Sequence, residues 1–123
     1  MLNLEPGNKP HTQHKGFIML KVTVLIPVNF NNGMPIPQYV VDTALSTLTY
    51  IAGGLTDEGL VLGRYVMDDG TLATDRCHKV FVVIDADKLT VLRTWAANLC
   101  RACQQESIYF EVQEVQVEFV RAS

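Results

Sequence analysis

The chain has 123 residues, enough for one domain with one core and no covalent staples. Apolar residues make up 48% and charged residues 19%, which excludes a disordered chain. The net charge of −3 argues against a nucleic-acid binder, and no apolar run is long enough for a membrane span.

Residues 1–18, "MLNLEPGNKPHTQHKGFI", place Pro6, Gly7, Pro10 and Gly16 among polar side chains and read as a flexible arm. They lack the apolar core of a signal peptide. His11 and His14 in this arm have a metal-ligand spacing, but two ligands on a mobile tail make a weak site, and no metal or other cofactor is assigned. Three cysteines without an export signal point to the cytoplasm and cannot all pair with one another. Met19 opens the first apolar run and is an alternative start.

Residues 19–123 read as one domain. In "MLKVTVLIPV", residues 19–28, Leu20, Val22, Val24, Ile26 and Val28 share one face and Lys21, Thr23 and Leu25 the other, the alternation of a half-buried strand. Pro27 implies a strand end or a sheet edge. "NFNNGMPIP" is a loop without the glycine pattern of a phosphate cradle. Pro37 suits a helix first turn. Residues 38–52 carry the stripe Val40, Val41, Ala44, Leu45, Leu48, Ile51 and Ala52 and predict a helix that Gly53-Gly54 ends.

Residues 55–67 and 74–84 predict two strands joined by the turn "DDGT". "VFVVI" is apolar on both faces and predicts a central position. Asp85 or Asp87 is the expected cap of a second helix with the stripe Leu92, Trp95, Ala96, Leu99 and Cys103. In "SIYFEVQEVQVEFV" the apolar parity changes near Gln113-Glu114, which predicts a bulge or a break. The order β-α-β-β-α-β predicts an α+β, ferredoxin-like sandwich, an antiparallel sheet with two helices on one face. Leu25, Phe81 and Val83 then point to the face without helices. An uncovered apolar sheet face implies a homo-oligomer, a dimer or larger, formed through that face.

The densest chemistry lies in "GRYVMDDGTLATDRCHKV", residues 63–80. Arg64 with Asp68 or Asp69 is placed to meet Asp75, Arg76 and His78 across the hairpin, which in bland form is a set of exposed cross-strand ion pairs. Arg76 and His78 share one strand face and Cys77 takes the other, so Cys77 and His78 make a poor nucleophile–base pair. "CRAC", Cys100 to Cys103, lies near a helix C-terminus, the wrong end to activate a thiolate. The stretch is a hairpin with a wet tip. Its base (Arg64, Tyr65, Arg76 and His78), with Tyr109 on the last strand, is the candidate ligand-binding site.

The segments "GLTDEGLVLGRYVMDDGTLATDRCHKV" and "QQESIYFEVQEVQVEF" resemble a family of small uncharacterised bacterial proteins. The resemblance rests on Gly54-Leu55-Thr56, Gly63, Tyr65, Gly70, Arg76 and Gln105-Glu106-Ser107. Asp75 fits its pattern and Cys77 departs from it. The resemblance implies the ferredoxin-like fold and no activity.

Three functions follow as expectations. The first is an oligomeric module that binds or senses a small molecule. The second is a cofactor-free enzyme, oxygenase- or isomerase-like, in which Arg64, Tyr65, Arg76, His78 and Tyr109 converge in a cleft on the open sheet face. There His78 would serve as acid or base and the arginines would hold an anion. The third is an accessory module that engages a protein partner through a sheet edge.

Overall fold

A computed structural model describes residues 17–123; the expected arm and its His11 and His14 lie outside the described residues. The elements are β1 (Phe17–Pro27), α1 (Gln38–Ala52), β2 (Thr56–Val66), β3 (Leu72–Ile84), α2 (Leu89–Ala102) and β4 (Phe110–Val117), with a short 3₁₀ turn, Ala86–Lys88, leading into α2. The four strands form one antiparallel sheet in the order β2-β3-β1-β4. This is the ferredoxin-like α+β fold expected from the element order.

The register explains the core. Val22 pairs with Val82 and Val24 with Val80, so their side chains share one face. That face, with Ile26 and Ile84, packs against Val41, Ala44 and Leu48 of α1 and Leu92, Trp95 and Leu99 of α2. Trp95 is buried, and its indole Nε1–H donates to the Ala44 carbonyl at 3.0 Å, tying the two helices together. Pro27 ends β1, which is central, so the proline marks a terminus and not an edge.

Four details differ from the sequence reading. β1 begins at Phe17, inside the stretch assigned to the arm. Neither Asp85 nor Asp87 caps α2: Lys88 holds the N-cap position without a side-chain hydrogen bond, and Asp85 stands ahead of the 3₁₀ turn. Pro37 occupies the N-cap of α1, one residue before its first turn. Neither the bulge nor the break expected at Gln113-Glu114 is present; β4 pairs with β1 in unbroken register. Phe110 lies on the helix side against Val24, whereas Val115 and Val117 lie on the other side and are partly buried there. The parity change therefore records which face is covered along an edge strand. Among the described residues the one register shift is in β2, where Asp57 pairs with Val80 and Leu60 with His78, so β2 carries one extra residue. Gly59, at φ 83, supplies the left-handed conformation this bulge requires.

No helix among the described residues is long and apolar enough to cross a membrane.

Candidate functional site

β3 is longer than its central partner. Its pairing with β1 runs only from Cys77 to Ile84, while its pairing with β2 continues out to Leu72. Residues 60–66 and 72–78 thus form a two-stranded ribbon whose outer half leaves the sheet. Its turn is closed by Gly70 N–H donating to the Met67 carbonyl and Met67 N–H to that of Thr71, both at 2.8 Å. The Asp69 carboxylate accepts from the hydroxyl and the backbone N–H of Thr71; the hydroxyl bond, then the backbone one, holds the Asp69 carboxyl below its ordinary 3.8.

The ribbon register decides which candidate residues meet. Leu60 pairs with His78, Leu62 with Arg76 and Arg64 with Thr74. These residues share the face of Val80 and Val82, the helix side. Arg64, Arg76 and His78 are therefore on one surface, with the two arginines diagonal neighbours across the ribbon. Tyr65 pairs with Ala73 and points to the open face. Tyr109, whose carbonyl accepts from Leu25 N–H, precedes helix-side Phe110 and also takes the open face. Both tyrosines are half exposed, at 45% and 55%. The five residues thus divide three and two between opposite sides of the sheet. A single open-face cleft lined by all five does not form within one chain, because adjacent strand positions diverge.

The expected cross-strand ion pairs are absent too. Among the described residues the ion pairs are His78 with Asp57, Nδ1 to Oδ1 3.9 Å, and Lys79 with Glu58, 3.7 Å. Arg64 and Arg76 are exposed and paired with no carboxylate. Asp75, on the odd parity of β3, lies on the open face opposite Gly63.

Asp57 was missed by the sequence reading. Without the bulge it would fall on the open face; the extra residue turns it to the helix side beside His78. Its Oδ1 also accepts from Gly59 N–H at 2.8 Å, so the residue that approaches His78 also shapes the bulge. The available signal was "DEG", an isolated glycine inside a strand pattern. His78 Nδ1 is shielded from solvent and has no hydrogen-bond partner, since 3.9 Å is too long for one. The imidazole as a whole remains partly exposed.

On the open face Leu25, Phe81 and Val83 are partly buried, and Lys21 sits over the Phe81 ring with its Nζ 4.2 Å from the centroid. Cys77 is buried on this side, away from His78. Cys103 is buried at the C-cap of α2 and Cys100 lies in the last turn of that helix. Burial pushes the Cys77 and Cys103 thiols upward, with a smaller push from Asp75 on Cys77 and from Cys100 on Cys103. That is the direction of inert thiols. Among the described residues no three His, Cys, Asp or Glu side chains are grouped to hold a metal.

A cleft of about 360 Å³ lies between α1 and α2, with Tyr39, Thr43, Thr47, Trp95 and Asn98 among its lining. It contains none of the five candidate residues. Its one titratable group is the Tyr39 phenol, so it offers packing space and little chemistry.

No family model matches the chain, and no curated protein matches it. The family resemblance seen in the sequence accordingly reaches no further than the fold. Solved structures do match. A phage SAM lyase in complex with S-methyl-5'-thioadenosine aligns over 91% of this chain and 100% of its own, at TM-score 0.59 and 15% identity. A Bacillus cereus protein related to NIF3 aligns over 86% of this chain, at TM-score 0.57 and 15% identity. The match spans only 30% of that longer protein. CutA1 from Oryza sativa aligns over 86% of this chain and 85% of its own, at TM-score 0.49 and 16% identity. At 15% identity the likeness to the first two shows a shared ferredoxin-like α+β fold and nothing finer.

Proposed function

We propose that this chain is a homo-oligomeric module that binds a small anionic molecule on the helix side of the sheet, where the β2–β3 ribbon leaves the body. One observation carries the reading. Arg76 and His78 are neighbours on one strand face; the guanidinium is exposed with no carboxylate partner, and the imidazole beside it is partly exposed. A guanidinium fork and an imidazole N–H suit a carboxylate or phosphate, and Leu60 and Leu62 on the opposing strand give its organic part an apolar bed. Arg64 stands one rung further out. Tyr65 and Tyr109, on the opposite face, belong with Leu25, Phe81 and Val83 to the surface through which copies associate.

Catalysis is the weaker reading, since the residues proposed for it do not converge. The test is a thermal-shift screen of the purified chain against carboxylates, phosphates, nucleotides and S-methyl-5'-thioadenosine, the molecule bound by the phage enzyme of like fold. A ligand at a hundred times its Kd stabilises by about 2.7 kcal/mol. A stabilising anion whose effect disappears in both Arg76→Ala and His78→Ala supports the site. Hits that persist in both variants move the ligand elsewhere, and the α1–α2 cleft is then the next place to probe.

A further inference from the structure

The cleft between α1 and α2 shares no residue with the site at Arg76 and His78. Its walls are one stripe of each helix. Tyr39, Thr43 and Thr47 follow one another every four residues on α1, and Trp95, Asn98 and Ala102 every three or four on α2. Trp95 bridges the seam, its Nε1–H donating to the Ala44 carbonyl at 3.0 Å. The residues around it are short: Thr43, Ala44 and Thr47 on one helix, Asn98 and Ala102 on the other. Side chains of that size do not close the seam, and about 360 Å³ stays open.

The floor of this cleft is apolar and its rim is polar but neutral. Ala44, Trp95 and Leu99 are buried, whereas Tyr39, Thr43, Thr47 and Asn98 are exposed. The indole N–H is committed to Ala44, so Trp95 offers a ligand ring carbon only. The Asn98 amide has a fixed sense. Its Oδ1 accepts from the Arg101 guanidinium, a group with donors alone, and its Nδ2 end is left to donate. Among the described residues no Asp, Glu, Lys, Arg or His lines the cleft. A charged ligand would leave water there without meeting an opposite charge in the walls.

We propose that the α1–α2 cleft is a second binding site, one for an uncharged aromatic ring that carries an amide carbonyl. The ring lies on the floor against Trp95 and Leu99, and the carbonyl accepts from Asn98 Nδ2. The hydroxyls of Thr43, Thr47 and Tyr39 both donate and accept, so they can take up the amide N–H on the other side. The volume is at the low end of the roughly 300–1,000 Å³ of small-molecule sites, which suits a single ring system. The cleft thus selects on neutrality, whereas the ribbon site selects an anion.

Trp95 is the one tryptophan of the chain, so its emission reports this cleft. The test titrates the full chain with benzamide and with benzoate, which keeps the shape and adds a charge. Benzamide is expected to change the Trp95 emission saturably, with benzoate at least about tenfold weaker. Asn98→Asp keeps an acceptor for Arg101 and removes the donor, and should weaken benzamide about tenfold. Ala102→Leu should fill the cleft and abolish the response. Both positions are exposed, and circular dichroism checks the fold of each variant. Arg76→Ala and His78→Ala should leave benzamide binding unchanged. No saturable response to benzamide overturns the proposal. So does an equal response to benzoate, a response that survives both cleft variants, or one that is lost with Arg76 or His78.

Discussion

His78 Nδ1 and Asp57 Oδ1 face each other at 3.9 Å, out of contact with solvent at the nitrogen yet too far apart for a hydrogen bond. The bulge at Gly59 creates this relationship by turning Asp57 to the helix side of β2. Asp57 is nevertheless committed elsewhere, because the same Oδ1 accepts from Gly59 N–H. An imidazole nitrogen is thereby left shielded and unfilled beside a guanidinium with no carboxylate partner. A buried polar atom without a partner costs about 1–3 kcal/mol.

Replacing His78 by Leu should therefore stabilise the fold. Leucine fits between Leu60 and Ile26, the residues paired with this position, and removes the unfilled nitrogen. A gain of about 1 kcal/mol in urea unfolding is expected, together with loss of anion binding. A clear loss of stability would show that Nδ1 has a partner in solution and would sink the argument for an unfilled site.

Asp57 separates the turn from the ion pair. Asp57→Asn keeps an oxygen for Gly59 N–H and removes only the charge; a 3.9 Å pair between partly exposed groups is worth little, so a change below about 0.5 kcal/mol is expected. Asp57→Ala removes the bond that shapes the bulge and should cost about 1 kcal/mol. Equal losses in the two variants, measured by the same unfolding assay, would assign the effect to the charge.

The thiols give a pH dependence. Cys77 and Cys103 are held above their ordinary 9.0, chiefly by burial. A folded-state pKa above the unfolded one favours the native state while the thiol is protonated, and this contribution is complete below the unfolded value. As pH rises through about 9 the unfolded chain releases these protons first, so stability should fall there and stay flat around neutrality. Urea midpoints across pH 7 to about 10.5 check the trend, and Cys103→Ala should reduce the slope. At neutral pH a thiol reagent should label the half-buried Cys100 before the other two in the native protein. Equal labelling rates would contradict the burial.

Much of the fold was legible because burial imposes a period. Val22, Val24 and Ile26 alternate since one side of β1 is covered by helices, and Val41, Ala44 and Leu48 recur at helical spacing for the same reason. The alternation also placed Arg76 and His78 together and Cys77 away from them, as the register has it. Edge strands obey the rule less well. β4 buries different faces at its two ends, and parity alone mistook that for a break. The helix cap was misread because Asp85 and Asp87 have the right chemistry for a position that the 3₁₀ turn moves to Lys88.

By itself, then, the amino-acid order determined the six elements, the helix-covered core and the two hairpin strands that carry the charged cluster. Those follow from local periodicity and turn chemistry, which act over a few residues. Only the tertiary structure decided that Tyr65 and Tyr109 lie across the sheet from Arg64, Arg76 and His78, and that Asp57 stands beside His78. It also showed that β3 outruns β1 to leave a projecting ribbon. Each of these depends on register between strands distant in the chain, where one extra residue reverses a face, and single-strand patterns hold no information about where a partner strand ends.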